Sequence, residues 1–222
     1  LFRDALARAK ALKGTESALY AMVLASLANA IDEQTRYGEA ETVLREAIEI
    51  SIRVNGELYP ETAQMISNLS GVCRRQGKRE DAYQLAVRAL DLNRRLVPGD
   101  STPTADSLSR LANAESELGK LDDAIGHMRE AIAMDERVLG PDCHSVGAGY
   151  ANLSQMLGSA GRFSEAILAG EKALEIDTKL YAPESYPVLT DLLALIHAYR
   201  ASGRLADGLG YTRRAIAMAA KV

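Results

Sequence analysis

Residues 60–99 read PETAQMISNLSGVCRRQGKREDAYQLAVRALDLNRRLVPG, and this stretch predicts two helices joined by a tight turn. Pro60 suits the first turn of a helix, where its missing N–H has no intrahelical partner to lose. Apolar residues then recur at helical spacing until Gly77 interrupts the pattern. A second apolar stripe covers residues 80–96, and Pro98-Gly99 ends it. The stretch is therefore a helix-turn-helix unit, with helix A before Gly77 and helix B after it.

The same unit recurs along the chain with a period of 42 residues. A small residue heads each helix B, a Leu marks each helix A, and an Ala followed by an aliphatic residue lies further along each helix B. These four columns are Ala40, Ala82, Ala124, Ala166 and Gly208; Leu27, Leu69, Leu111, Leu153 and Leu195; Ala47, Ala89, Ala131, Ala173 and Ala215; and Ile48, Leu90, Ile132, Leu174 and Ile216. Columns that stay in phase predict an all-α fold of stacked repeats that share one core.

Two further columns concern the turn and the start of helix B. Glycine occupies the turn at Gly77, Gly119, Gly161 and Gly203, and Thr35 takes that place in the first repeat. Glycine reaches the left-handed conformation without steric cost. Tyr37, Phe163 and Leu205 share a position at the start of helix B, which predicts core packing. Because Gly208 weakens a helix relative to Ala, we expect the last repeat to be the least stable.

The period divides the chain into a single array over residues 1–222. The repeats run from about 15–56, 57–98, 99–140, 141–182 and 183–222. Residues 1–13 have a helix B register, since Ala5 and Leu6 lie 42 positions before Ala47 and Ile48. We therefore expect residues 1–13 to be the end of a preceding repeat helix.

Composition limits the classes of partner. With 26 Lys and Arg against 30 Asp and Glu, the net charge is −4, which argues against nucleic acid. The most apolar run, residues 18–31, is shorter than the roughly 20 residues that a membrane span needs. Two isolated cysteines, Cys73 and Cys143, form no disulfide framework and favour a reducing, cytoplasmic location.

These columns resemble the tetratricopeptide repeat (TPR), in the 42-residue form of kinesin light chains and many bacterial multidomain proteins. The segments Gly161–Ala166 and Lys172–Ile176 resemble the family's second helix. Asn68-Leu69 and Asn152-Leu153 resemble its helix A. The resemblance implies a right-handed α-solenoid of about five repeats plus a leading partial helix. It also implies a protein-interaction scaffold, not an enzyme, whose helix A residues line a concave groove.

The positions of helix A outside the core are rich in Asn, Gln and Arg. Amides offer a donor and an acceptor to the backbone of an extended peptide, and arginine holds carboxylates with two donors. We therefore expect a peptide with acidic character, bound by Asn29, Asn68, Arg74, Arg75, Arg110, Asn113, Asn152, Gln155, His197 and Arg200. The same residues also fit an ordinary solvated helix face, because nearby acids such as Asp106 and Glu117 offset much of the positive charge.

No catalytic, metal or cofactor signature is found. HExxH, GxGxxG, GxxxxGK[ST] and GxSxG are missing from the sequence, and Cys143-His144 has no second ligand pair at metal-binding spacing. Asn68-Leu69-Ser70 and Asn152-Leu153-Ser154 match the glycosylation sequon only as echoes of the repeat. We expect no enzyme activity, cofactor or metal.

A second interpretation remains open beside the peptide-binding scaffold. The chain could be a regulatory or self-association segment of a larger signalling protein, such as a Ser/Thr kinase or a transcription regulator, as the resemblance to bacterial arrays implies. A terminal helix without its neighbour exposes apolar surface, so the apolar residues of 1–12 could support a homo-oligomer.

Overall fold

The computed structural model describes residues 8, 11 and 14–220, and the regular secondary structure of this part of the chain is all α-helix. Its ten helices are α1 Ala18–Glu33, α2 Tyr37–Asn55, α3 Pro60–Arg75, α4 Arg79–Leu96, α5 Thr102–Glu117, α6 Leu121–Leu139, α7 His144–Ser159, α8 Phe163–Leu180, α9 Tyr186–Ala201 and α10 Leu209–Ala219. Odd-numbered helices are helix A of a repeat and even-numbered helices are helix B. The expected partial helix at 1–13, and the homo-oligomer proposed for it, lie outside the described residues apart from Arg8 and Ala11.

The helices fall into two compact units. Unit 1 contains the described residues up to Gly99 together with Asp106–Leu118, and unit 2 contains Asp100–Ala105 and the described residues from Gly119 onward. In unit 1, α1 packs on α2, α2 on α3 and α3 on α4, and α1 also contacts α3. In unit 2, α6 to α10 pack in the same consecutive manner, and α7 also contacts α9. Within each unit, helices A of successive repeats are therefore neighbours.

The turn between helices A and B confirms the prediction made from its glycines. Gly77, Gly119, Gly161 and Gly203 have φ values of 75°, 79°, 73° and 75°, and Thr35 has a φ of 62°. After α3, the N–H of Gly77 donates to the carbonyl oxygen of Arg74 at 2.9 Å, and that of Lys78 donates to Cys73 at 3.0 Å. These two bonds are the Schellman pattern, which satisfies the last carbonyls of a helix. Each turn therefore sets where helix B begins.

Close approach of helix B to helix A explains the small-residue column. Ala40, Ala82, Ala124 and Ala166 are fully buried. Ser70 in α3 donates to the carbonyl oxygen of Ala82 at 2.7 Å, and Ser154 in α7 donates to that of Ala166 at 2.7 Å. The hydroxyls of both sequon-like triplets are thus buried in the packing of their own repeats.

The last repeat departs from the pattern. By its register its helix B would begin near Leu205, yet α10 begins at Leu209 and Leu205 is 62% exposed. The prediction that Leu205 packs in the core is wrong, because the glycines at 208 and 210 oppose an early helix start. Ile216 is 64% exposed, whereas its equivalents Ile48, Leu90, Ile132 and Leu174 are buried. Among the described residues, no further helix follows α10 to cover it.

Candidate polar surface on the A helices

The helix A side chains predicted to bind a partner lie on the surface in both units. Asn29, Arg75, Gln155, His197 and Arg200 are exposed, while Asn68, Arg74, Arg110, Asn113 and Asn152 are partly buried. Because helices A of successive repeats are neighbours within a unit, side chains about one period apart can meet. In unit 1 these side chains bind one another or nearby acids, whereas in unit 2 two of them line a cavity.

In unit 1 the amides bind one another. The Asn68 Nδ2 donates to Asn29 Oδ1 at 3.3 Å, and the Gln64 Nε2 donates to Asn68 Oδ1 at 3.0 Å. These bonds join α1 to α3 and then run one turn along α3. Part of the hydrogen-bonding capacity predicted for a peptide is therefore used between the helices.

The three arginines of unit 1 that were predicted to bind a ligand, Arg74, Arg75 and Arg110, each hold a carboxylate. The Arg75 Nε lies 2.9 Å from Asp32 Oδ1, and its second contact with that carboxylate makes the pair bidentate. The Arg74 Nη1 lies 2.9 Å from Glu117 Oε1. Charge repulsion among the arginines is thus reduced, and so is the net positive charge that this face offers to an acidic ligand.

Arg110 completes this set of ion pairs from α5. Its Nε lies 2.8 Å from Asp106 Oδ2, one helical turn earlier. Its guanidinium lies against α3 at Gly71, since a Cβ built on Gly71 would lie 3.0 Å from Arg110 Nη1. The small residue at 71 therefore makes room for the arginine of the next helix A.

Sequence reasoning selected these arginines but missed how they are paired. Both Arg75–Asp32 and Arg74–Glu117 join residues that are 43 apart, which is one period plus one residue. The acids at 32 and 117 were visible in the same columns as the arginines. Which acid meets which arginine depends on the axial offset between successive helices, and the columns do not contain that offset.

In unit 2 the equivalent face contains a cavity of about 500 Å³ between α7 and α9. Two predicted residues, Gln155 on α7 and His197 on α9, line it from opposite helices. Its other lining residues are small, apolar or weakly polar: Ser154, Gly158, Ser159, Phe163, Thr190, Ala194, Ala198 and Ala201. The cavity therefore combines an apolar wall with a few polar groups, as peptide and small-molecule sites do.

The remaining predicted residues of unit 2 lie beside this cavity and do not line it. Asn152 is partly buried, one turn before Gln155 on α7, and Arg200 is exposed, one turn after His197 on α9. Unlike Arg74, Arg75 and Arg110 in unit 1, Arg200 forms no ion pair within the part of the chain that the structure describes. The side chains of Gln155 and His197 likewise have no hydrogen-bond partner among the described residues.

Other candidate sites are weaker. His144 Nδ1 is 2.6 Å from the hydroxyl of Tyr181, and Cys143 contacts Ser145, so the Cys143-His144 pair is engaged locally. Over residues 14–220, no group of three or more His, Cys, Asp or Glu side chains could hold a metal ion. The described helices include none that is both long and apolar enough to cross a membrane.

Comparison with known proteins identifies related repeats. The profile of the tetratricopeptide repeat matches residues 27–95 and 103–179. A search of curated proteins returned no match.

Several solved structures share the fold at low sequence identity. BtubC (BKLC) from P. vanneervenii is 21% identical, with a TM-score of 0.83 over 99% of this chain and 87% of its own. A protein described as a kinesin light chain with nearly identical TPR-like repeats, from Podosopora anserina, is 19% identical, with a TM-score of 0.76 over 89% of this chain and 94% of its own. A Rap protein complexed with Competence and Sporulation Factor is 16% identical, with a TM-score of 0.77 over 99% of this chain and 58% of its own.

Proposed function

This chain belongs to the tetratricopeptide-repeat family, a family of non-enzymatic protein-interaction scaffolds, and we propose that it binds a peptide segment of a protein partner on its A helices. The observation that carries the proposal is the cavity between α7 and α9. It places an amide and an imidazole, neither with a hydrogen-bond partner among the described residues, on opposite walls of an apolar recess.

The chemistry of the cavity suits a segment with an apolar side chain. Phe163 and three alanines of α9 would cover that side chain, and each buried methylene contributes about 0.8 kcal/mol. The Gln155 amide would donate a hydrogen bond to the peptide backbone and accept one from it. Such bonds do not depend on the sequence of the peptide. A Rap protein of the same fold is complexed with Competence and Sporulation Factor, which supports ligand binding by repeats of this kind.

We further propose that the segment is acidic next to that apolar side chain. Arg200 is exposed one turn beyond His197, and among the described residues it has no carboxylate partner. Its guanidinium can therefore take a carboxylate of the ligand without first losing an internal one. Arg74, Arg75 and Arg110 would have to give up the carboxylates that they already hold before they could bind a carboxylate of the ligand.

A phage-displayed library of random linear peptides tests the proposal. Peptides selected on the wild-type chain are synthesised and their affinity is measured by fluorescence anisotropy. The double variant Gln155→Ala/His197→Ala should bind them at least about tenfold more weakly, a loss of about 1.4 kcal/mol. Gln84→Ala, which removes an exposed amide from helix B in α4, serves as the control and should bind like wild type. Equal affinity of the double variant and wild type would exclude the cavity as the site.

A further inference from the structure

Two buried carboxyl groups meet between α8 and α9. Asp177 on α8 is 7% exposed and Asp191 on α9 is 3% exposed. The two side chains are within reach of a hydrogen bond if one carboxyl is protonated. Asp177 Oδ1 and Asp191 Oδ2 otherwise have no partner among the described residues. Two ionised carboxylates have only acceptors, so a bond between them requires a proton on one. A proton on one carboxyl would therefore let the pair stay buried without two adjacent negative charges.

The equivalent position two repeats earlier needs no such proton. Asn93 and Ser107 precede Asp177 and Asp191 by 84 residues, and the Asn93 Nδ2 donates to Ser107 Oγ at 2.8 Å. This bond is also buried, but it joins neutral groups. The repeat therefore has a place for a polar pair between helix B and the next helix A, and only the carboxyl pair makes it sensitive to protons.

Few charged groups are present to stabilise a second negative charge. Among the described residues, the titratable groups that act on the pair are its two members and, for Asp177, His144 at the start of α7. On the α7 side the backbone is close, since a Cβ built on Gly147 would lie 2.7 Å from Asp177 Oδ1. No lysine or arginine of α7, α9 or α10 acts on either acid.

Burial and charge repulsion both favour the protonated form. Burial, followed by the negative charge of Asp177 and the hydrogen bond to it, together raise the pKa of Asp191 from 3.8 to about 7. Burial also raises the pKa of Asp177, although the positive charge of His144 opposes that change. The pair consequently keeps one proton at pH values well above the pH at which an exposed aspartic acid loses its proton.

We propose that the Asp177–Asp191 pair is a proton-dependent latch that holds α9 against α8 and progressively releases α9 as the pH rises towards neutrality. Loss of the proton places two negative charges in a buried space, where each charge without a cation is costly, and opening of α9 relieves that cost. Thr190, Ala194 and His197 of the cavity are on α9, so the latch also controls the shape of that cavity. This second consequence rests on the proposed peptide-binding function, whereas the latch itself does not.

The direction of the pH dependence follows from proton linkage. The folded pair keeps a proton up to about pH 7, whereas the unfolded Asp loses it near its ordinary value of 3.8. Between those limits the folded state binds more protons, so its stability falls as the pH rises. We expect the equilibrium constant for opening α9 to increase up to about tenfold per pH unit in that window and to level off above it.

Hydrogen exchange measured by mass spectrometry on the full chain tests the latch without any ligand. After correction for intrinsic exchange rates, residues 186–201 of wild type should be protected less at about pH 8 than at about pH 6. Asp191→Asn and the double variant Asp177→Asn/Asp191→Ser should remove this difference. The double variant reproduces the Asn93–Ser107 pair already present in this chain, so it is expected to fold. Asp123→Asn, an exposed acid on α6, should behave as wild type.

The outcomes separate the latch from the cavity. An unchanged pH dependence in both variants, or none in wild type, would overturn the latch. A ¹³C NMR titration of aspartate carboxyl carbons in wild type decides the matter even if a variant fails to fold: one midpoint near pH 7 is expected, and midpoints all below about pH 5 would overturn it. If the latch titrates but selected peptides bind equally at both pH values, only its control of the cavity is overturned.

Discussion

At the scale of single residues, Thr35 is a residue type that does not suit the backbone conformation of its turn. Its φ of 62° is the left-handed conformation that the other turns assign to glycine. For a residue with a Cβ this conformation costs about 1–2 kcal/mol in the folded state. Replacement by glycine removes that strain but also makes the unfolded chain more flexible, which lowers stability by about 0.4–1 kcal/mol. We expect Thr35→Gly to raise the free energy of unfolding by about 0.5–1 kcal/mol in urea denaturation. Gly77→Ala, in the equivalent turn, should lower it, and the same sign for both variants would contradict the argument.

Glu41 supplies a second residue-scale prediction. It is 9% exposed on α2 and accepts hydrogen bonds from Lys78 at 2.6 Å and Gln76 at 2.8 Å, which tie α2 to the turn after α3. Arg45, one turn along α2, donates a third at 2.8 Å. Burial alone would raise the pKa of Glu41, but these bonds lower it from 4.5 to about 2. Its stabilisation is therefore present above about pH 4.5 and lost as the pH falls towards 2.

We expect Glu41→Gln to lower the free energy of unfolding by about 2 kcal/mol at neutral pH, a value that allows for solvent screening of the exposed partners of Glu41. The variant should also show a weaker decline in stability below pH 4.5 than wild type. Urea midpoints across an acid pH series measure both effects. Glu39→Gln removes an exposed acid two residues away and should change little. A parallel acid decline in Glu41→Gln and wild type would show that Glu41 is not the responsible group.

At the scale of helices, α10 tests whether glycine sets the weakness of the last repeat. Gly210 lies inside α10 with open space around its Cα, whereas a Cβ on Gly208 would lie 3.0 Å from Tyr199 Cβ. Gly210→Ala should therefore stabilise α10 by up to about 1 kcal/mol, and Gly208→Ala should gain less or lose stability. Hydrogen exchange of residues 209–219 measures each effect. Equal gains from both variants would mean that Tyr199 moves aside freely.

The same helix shows where the repeat pattern stops being informative. The period predicted the other helix pairs and their turns, because each repeat supplies the same small residue and, apart from Thr35 in the first repeat, the same glycine. It failed for Leu205, since a column treats Gly208 as equivalent to Ala although the two differ in helix propensity by about 1 kcal/mol. Instead, Tyr199 and Tyr211 fix α10, since both donate to Glu171 Oε1 at 2.9 Å. Neither tyrosine belongs to a repeated column that marked the fold.

At the scale of the whole molecule, the sequence predicted which polar residues lie on the A helices but not which of them are paired with other side chains. Gln155 and His197 were selected by column and do line one cavity. Arg74, Arg75 and Arg110 were selected by the same rule but are paired with acids of unit 1. Columns report which side chains share a face. They do not report helix offsets, which decide whether a cation on that face is paired or available.

That difference leads to a prediction about the whole chain. If an acidic segment binds, Arg200→Gln should weaken its affinity about threefold to tenfold, because an unpaired cation is lost, and should reduce the salt dependence of binding. Arg110→Gln should have a smaller effect, because its carboxylate partner Asp106 already satisfies it. Anisotropy titrations of one selected acidic peptide at low and high salt compare the two variants. A larger loss from Arg110→Gln would place the acidic contact on unit 1, where the ligand's carboxylate would replace Asp106 as the partner of the arginine.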